Sequence, residues 1–456
     1  FRRVLFRSLS DTQARALKST QIAALSGTQL RGLSPEQMGI LSAEILNDLS
    51  SAQIKSLSET QFANFTTTQL GSFSTTQIKA IDITDLRVLS ATQIGGLTAS
   101  QVGALTASQI RALTTTEIAA LSGTQAQGLS STQVAAITGT QIRALTADQT
   151  GTLAAPLISA FTNTQINLLT SVQLGGFRAT QVGGLTANQF KLLDATDIGS
   201  LSAAGVAGLT AAQAGVASTT QIGALSAVQA GSLSAPFLSS LNTTQFNLLS
   251  TTQIGGFGAA QLGALTGTEF KLLETNDIQA LSASAFQGLT AAQAGLLTAT
   301  QLGVLSSAQV GSITSAAVTG LSTTNVAGLS TAQVGGLSAT QIGALTQGQI
   351  KAIETTDIAA LTATQVGGLR TTQIDVLSEG QLTAITTSGI GGLTTTQFAS
   401  LSSTQVGQLT TDQVQAVTTA DIAALTTGQV PGLTATQIGA LSTTQVSAFE
   451  VADLAA

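Results

Sequence analysis

The 456-residue chain contains no cysteine, histidine, tryptophan or tyrosine, and only four prolines and one methionine. Without cysteine there is neither a disulfide framework nor a thiolate metal site. Without cysteine or histidine, the usual pairing of a nucleophile with an imidazole base is missing, and no octad departs from the common pattern as a catalytic site would. The reading is therefore a non-enzyme with no cofactor. The missing tryptophan and tyrosine remove the aromatic platforms on which sugars commonly stack. Charge is scarce too: 8% of residues are charged, where about a quarter is ordinary. The balance is acidic, with 16 Lys and Arg against 22 Asp and Glu. Nucleic acid is excluded as a partner on that ground, because its phosphates demand clustered cations. Polar residues interrupt the chain so often that no apolar run approaches the ~18 residues of a membrane-spanning helix.

What is present is one phrase. Residues 97–113 read LTASQVGALTASQIRAL, the same eight residues said twice. From Leu9 onward the phrase L-[ST]-x-x-Q-[IV]-x-A recurs without insertion or deletion, so residues 9–456 divide into 56 octads. The first position is Leu in 43 of them, the second is Ser or Thr in 45, and the fifth is Gln in 40. Such phase discipline excludes a disordered low-complexity linker, which has no reason to keep spacing. It also marks no internal boundary, so 9–456 reads as a single continuous array. A longer period overlies it: residues 155–198 echo 235–278 at an offset of 80, ten octads.

The eight residues before the array, FRRVLFRS, fall outside the pattern. They resemble one translated frame of a common sequencing adapter, which implies a non-native segment 1–8 and a fragment of metagenomic origin. Setting Arg2, Arg3 and Arg7 aside leaves 13 basic against 22 acidic residues, a net charge of −9.

The octad decides between helix and strand. In a strand the first and sixth positions face opposite sides, so the two aliphatic residues could not share a core face. In one continuous helix, eight residues make about 2.2 turns and the leucine stripe drifts around the cylinder. One short helix per octad satisfies both constraints. Ser or Thr then falls at the N-cap and Gln at N3, the partners of a capping box, while the flanking Leu and Ile/Val form a hydrophobic staple. The variants obey the same grammar. Ser34-Pro35 places proline at N1, where its missing N–H is harmless. Glu117 and Glu269 put carboxylates at N3, where the helix dipole favours them. Gly or Ala at the eighth position suits a helix end or close packing. Isolated helices under ~12 residues are marginal, so the octads must stack, neighbour on neighbour. The expectation is an all-α solenoid of about 56 short helices, one per octad. A β-solenoid with threonine rows that bind ice or glycan is the contrasting architecture.

Candidate sites are few. The motif K-x-[IL]-[DE]-x-x-D occurs at Lys79/Asp82/Asp85, Lys191/Asp194/Asp197, Lys271/Glu274/Asp277 and Lys351/Glu354/Asp357. Paired carboxylates three apart could contribute to a Ca²⁺ site, which wants six to eight oxygens. The plainer use is capping, with the first acid at the N-cap, the second at N3 and the lysine as a surface partner. Ten of the 13 basic residues in the array occupy the seventh position, among them Arg15, Arg31, Lys55, Arg111 and Arg143. They form either a solvated ridge or a dock for an acidic polymer.

The phrases LSPEQMGIL and LTATQIGAL resemble the low-charge octapeptide arrays of very large bacterial secreted and cell-surface proteins described as adhesin-like. That resemblance covers 9–456 and implies export and an attachment or matrix role, with a surface or matrix polymer or protein as partner. No binding residue carries over. The functional expectation is a structural spacer or adhesive scaffold at a bacterial surface, extracellular or on the cell. A solenoid binding array with a concave groove for a protein is its rival.

Overall fold

The computed structural model describes residues 8–451. Apart from Ser8, the adapter-like segment lies outside the described residues. The chain forms two compact units, residues 1–240 and 241–456.

In the first unit every octad from residue 9 makes one short helix, from Asp11–Arg15 through to Ala235–Leu238. The octad that opens the repeated phrase shows why. Thr98 has extended backbone (φ −74°, ψ 160°), and its hydroxyl accepts the Gln101 N–H at 3.2 Å. In return Gln101 Oε1 accepts the Thr98 N–H at 2.7 Å. The helix Ala99–Ala104 ends at Leu105, which is again extended, and Thr106 caps the next helix, Ala107–Ala112. Capping box and restart therefore follow the spacing read from the sequence. Where Lys18 or Arg178 replaces the cap residue, the glutamine acts alone: Gln21 Oε1 takes the Lys18 N–H at 2.8 Å.

The second unit follows the same rule from Thr243–Phe246 to Thr443–Val446. Its one weak octad has a local cause. Pro431 sits at the seventh position, cannot donate an N–H, and leaves only the short 3₁₀ turn Val430–Gly432.

Within each unit the core is a continuous column of first- and sixth-position side chains. Leu97, Val102, Leu105 and Ile110 are all buried, as are Leu337, Ile342, Leu345 and Ile350. The helices do not stack on their immediate neighbours in sequence. Each packs against the helix three octads away: Ala91–Gly95 on Thr115–Ala120 in the first unit, Thr251–Gly255 on Thr275–Ala280 in the second. The extended cap residue swings each new helix away from the last, so lateral contact waits for the chain to come round. The described residues contain no strand. This overturns the β-solenoid alternative and its flat threonine lattice, because the Ser and Thr residues that such a lattice needs are helix caps.

The eighth position gains its small residues from this packing. No described glycine has positive φ, so a left-handed helix end is not the reason. A Cβ added to Gly208 would overlap the carbonyl oxygen of Ala179, 29 residues earlier in the coil below. Close backbone approach explains the glycine.

Candidate functional site

The recurrent polar group of the interior is the fifth-position glutamine, and it has two jobs. Its Oε1 completes the capping box of its own helix. Its Nε2 reaches down one coil. Gln101 Nε2 donates to the Leu70 carbonyl at 2.8 Å and the Phe73 carbonyl at 2.7 Å, residues 31 and 28 positions earlier. Gln349 repeats this in the second unit, on Val318 and Leu321, both at 2.8 Å. Those carbonyls belong to the sixth position of one octad and the first position of the next, the end of a helix where backbone acceptors lack intrahelical partners. One amide thus starts its own helix and finishes another. The two offsets also measure the coil, since they place the acceptors in octads three and four before the donor.

Octads without this glutamine show how the requirement is met otherwise. Gly205 and Phe237 take the fifth position in two octads, and there the cap serine crosses the gap. Ser202 Oγ donates to the Phe177 carbonyl at 3.3 Å and Ser234 Oγ to the Leu209 carbonyl at 2.6 Å, each 25 residues back.

A carboxylate at this position keeps the acceptor and loses the donor. Asp277 and Asp357 find a different partner, accepting the hydroxyls of Thr251 at 2.8 Å and Thr331 at 2.7 Å, both 26 residues earlier. Glu269 accepts the Thr266 N–H through Oε2 at 2.7 Å, while its Oε1 is buried with no hydrogen-bond partner. Burial pushes its carboxyl above the ordinary range, against the lowering effect of its bonds to Thr266. Asp85 stands at the most strained of these positions. It is 5% exposed, and the residue 26 positions earlier is Glu59 in place of a hydroxyl donor. Burial raises its pKa to about 6, with Asp82 and Glu59 adding to the rise and Arg31 opposing it. Asp85 lines an open cleft with Arg31, Lys55, Glu59, Asp82 and Thr84.

The Ca²⁺ candidates are therefore placed as follows. Asp194 and Asp197 form a reciprocal capping box, with Asp197 N–H to Asp194 Oδ1 at 2.9 Å and Asp194 N–H to Asp197 Oδ2 at 3.1 Å. Burial raises the Asp197 pKa, with the backbone bond to Asp194 opposing it. Asp277 caps the Glu274 N–H at 3.0 Å besides holding Thr251. Asp82, Glu274 and Glu354 occupy N-cap positions without a side-chain cap bond. Among the described residues no three acidic groups, nor any with His or Cys, converge as a metal site requires.

The seventh-position cations are exposed. Two of them also serve the stack, Arg31 donating to the Ser56 carbonyl and Arg111 to the Ala136 carbonyl, each 25 residues on. No described helix is long and apolar enough to cross a membrane.

The downward bond of the glutamine is absent from the sequence reading. A signal for it exists: Glu suits an N3 position at least as well as Gln, yet the fifth position is Gln in 40 octads. Only the amide can accept from its own helix and donate to another.

Comparison with known proteins agrees with a repeat array. The ALTTAQ repeat family model matches residues 78–115, 310–347, 350–387, 383–419 and 416–451, together less than half of the chain. No curated protein matches. Among solved structures, one titled "Structure of APUM23-GGAAUUGACGG" aligns at 11% identity over 92% of each chain with a TM-score of 0.16, a likeness that carries no argument. In five stretches, then, the chain is similar to ALTTAQ repeats, and its described residues form an all-helical, solenoid-like stack.

Proposed function

We propose that this chain is a non-enzymatic structural spacer or adhesive scaffold of a large bacterial secreted or cell-surface protein. One observation carries the reading. The groups that would otherwise make a site are spent on the fold: cap hydroxyls on their own helices, fifth-position amides on the coil below, and buried acids on caps or threonines. What faces outward is uncharged and repetitive, which suits length and inertness better than chemistry. Attachment, if the array itself provides it, is to a surface or matrix polymer or protein through that repeated exterior.

The test uses the intact gene product on its producing cells. Accessibility of the array to externally added antibody checks the location, and staining only after lysis overturns it. Removing residues 155–234 deletes ten octads in register. A spacer is expected to keep the activities of whatever it separates while shortening their reach. Loss of cell or matrix binding, competed by the isolated array, would point instead to an adhesive.

A further inference from the structure

We propose that copies of this chain associate end to end, the first coil of one copy seated on the last coil of another. The inference goes beyond the scaffold reading and rests only on the two coil faces. At the first coil, Gln13, Gln21 and Gln29 use Oε1 on the N–H groups of Ser10, Lys18 and Ser26. Their amide nitrogens have no acceptor among the described residues, whereas fifth-position amides higher in the stack have two carbonyls beneath them, as Gln61 has in Leu30 and Leu33. Gln13 and Gln21 are exposed and Gln29 is half-buried, and the anchors beside them, Leu9, Leu17 and Leu25, are half-buried too.

The last coil is the converse. Ile438 is 50% exposed and Val446 46%, while their sixth-position counterparts within the stack, such as Ile342 and Ile350, are fully buried. The helix-end carbonyls of Val430, Leu433, Ile438 and Leu441 receive no side-chain donor from a described residue, although those of Val414 and Val417, one coil below, hold Gln445 at 2.9 and 2.7 Å. One face offers amide donors and aliphatic anchors; the other offers paired carbonyls and aliphatic side chains that lack a cover. Octad spacing carries the match through. Continuing the count of eight from one copy to the next sets Gln13 over Val430 and Leu433, Gln21 over Ile438 and Leu441, and Gln29 over Val446 and Phe449. These are the 31- and 28-residue relationships found throughout both units. The contact would be a copy of the protein's own interior stacking.

Because the two faces differ, the contact is head to tail. It leaves a free head and a free tail after each step, and growth does not stop at a dimer. Sedimentation equilibrium of the 456-residue chain is expected to show mass rising with concentration through dimer to longer species. Two variants separate the faces. Gln13→Glu/Gln21→Glu/Gln29→Glu keeps each capping box and turns the head's donors into acceptors. Ile438→Lys/Val446→Lys charges the tail. Each is expected to weaken self-association at least about tenfold, a single factor of 1.4 kcal/mol. An equal mixture is expected to form a one-to-one dimer and nothing larger, since it holds one working head and one working tail.

Amide exchange of the unaltered chain gives a readout that does not depend on the variants folding. Protection of residues 10–29 and 430–446 should rise together with concentration. A chain that stays monomeric to ~100 μM, or a head or tail variant that associates with itself as the parent does, overturns the proposal. So does protection confined to one end.

Discussion

Gln101 donates its side-chain amide to the carbonyl oxygen of Leu70, 31 residues earlier and one coil below, at 2.8 Å. The same side chain accepts the N–H of Thr98, three residues before it. A local rule and a long-range rule therefore meet in a single residue type. The local bond sets where each helix begins. The long-range bond sets which coil lies beneath it and satisfies carbonyls that the helix leaves open. Burial of the first- and sixth-position aliphatics supplies the non-directional part of the stability, and the glutamine supplies register.

Replacing Gln101 by glutamate separates the two roles. The substituted carboxylate would keep the capping bond, as Glu117 does with the Thr114 N–H at 2.7 Å, and would aim a second oxygen at the carbonyls of Leu70 and Phe73. The expected cost is about 1–3 kcal/mol, the penalty of leaving buried polar groups unpaired, close to that of Gln101→Ala. Repeat arrays need not melt as one unit, so native-state amide exchange across residues 66–105 is the proper readout. A Gln101→Glu chain as protected as its parent at neutral pH would show the downward bond to be dispensable.

Asp85 makes the first unit pH-dependent, and the sign follows from its raised pKa. The unfolded carboxyl titrates near 3.8 and the folded one near 6. Between those values the native state holds a proton that the unfolded state has released, so stability falls as pH rises through the window and levels off above it. The shift corresponds to at most about 3 kcal/mol, at 1.36 per unit. Exchange rates around residues 57–89 measured from about pH 4 to pH 7 should show local stability declining, and Asp85→Asn should flatten the profile and protect this region at pH 7. A wild-type profile that rises across the window would contradict the assignment.

Glu269 is a second misfit, with Oε1 buried and unpartnered. The octad register places the carbonyl of Leu241 28 residues before it, where other octads present an acceptor to an amide. Glu269→Gln supplies the missing donor and keeps the bond to Thr266. A gain of about 1 kcal/mol in local stability at neutral pH is expected, shrinking as the solution is acidified and the native carboxyl takes up a proton. Equal stability of the two chains at pH 7 would argue that Glu269 finds a partner in solution.

Two glycines of the first unit should respond oppositely to alanine. Gly208 lies against the Ala179 carbonyl, so a methyl group there forces the coils apart, and overpacking of this kind costs about 1–3 kcal/mol. Gly223 ends the helix Thr219–Gly223 with nothing within 4 Å of the added carbon. There the substitution is expected to be neutral or to stabilise by up to about 1 kcal/mol through helix propensity. Circular dichroism melts of the paired variants decide it, and a destabilised Gly223→Ala would show that helix-end glycines matter for reasons other than coil contact.

The parts of the fold legible in the sequence are those whose interactions stay within one octad. Thr98 and Gln101 are three residues apart, and Leu97 and Val102 flank them, so spacing alone specifies cap, helix and buried face. The coil was not legible, because octads this alike give no reason to pair one with the third along sooner than with the next. Only the exceptions carry that information. Thr251 with Asp277 and Thr331 with Asp357 share a 26-residue offset, and those pairs mean something only once the coil is known. The candidate Ca²⁺ acids fall at the second and fifth positions, as spacing alone specifies. Their surroundings, a threonine for Asp277 and a glutamate for Asp85, come from the neighbouring coil and lay beyond the reach of spacing.

If every octad is interchangeable in the stack, length can change in units of eight and in no other unit. Deleting residues 97–104 removes one whole helix and moves each later octad onto a coil that offers the same carbonyl pair and the same aliphatic column. Gln125, which now donates to the Gly95 carbonyl at 3.1 Å, would meet the corresponding junction one octad earlier. The deletion is expected to keep the helical signal per residue and to leave exchange protection in the flanking octads nearly unchanged. Deleting only residues 97–100 joins half an octad to the next, puts Gln101 where an anchor belongs, and sends the polar side chain into the leucine column. That chain is expected to lose protection over at least the coils on either side of the cut. Comparable protection in the two deletions would mean that the stack tolerates loss of phase, and the octad would then be a habit of the sequence with no role in holding the coils together.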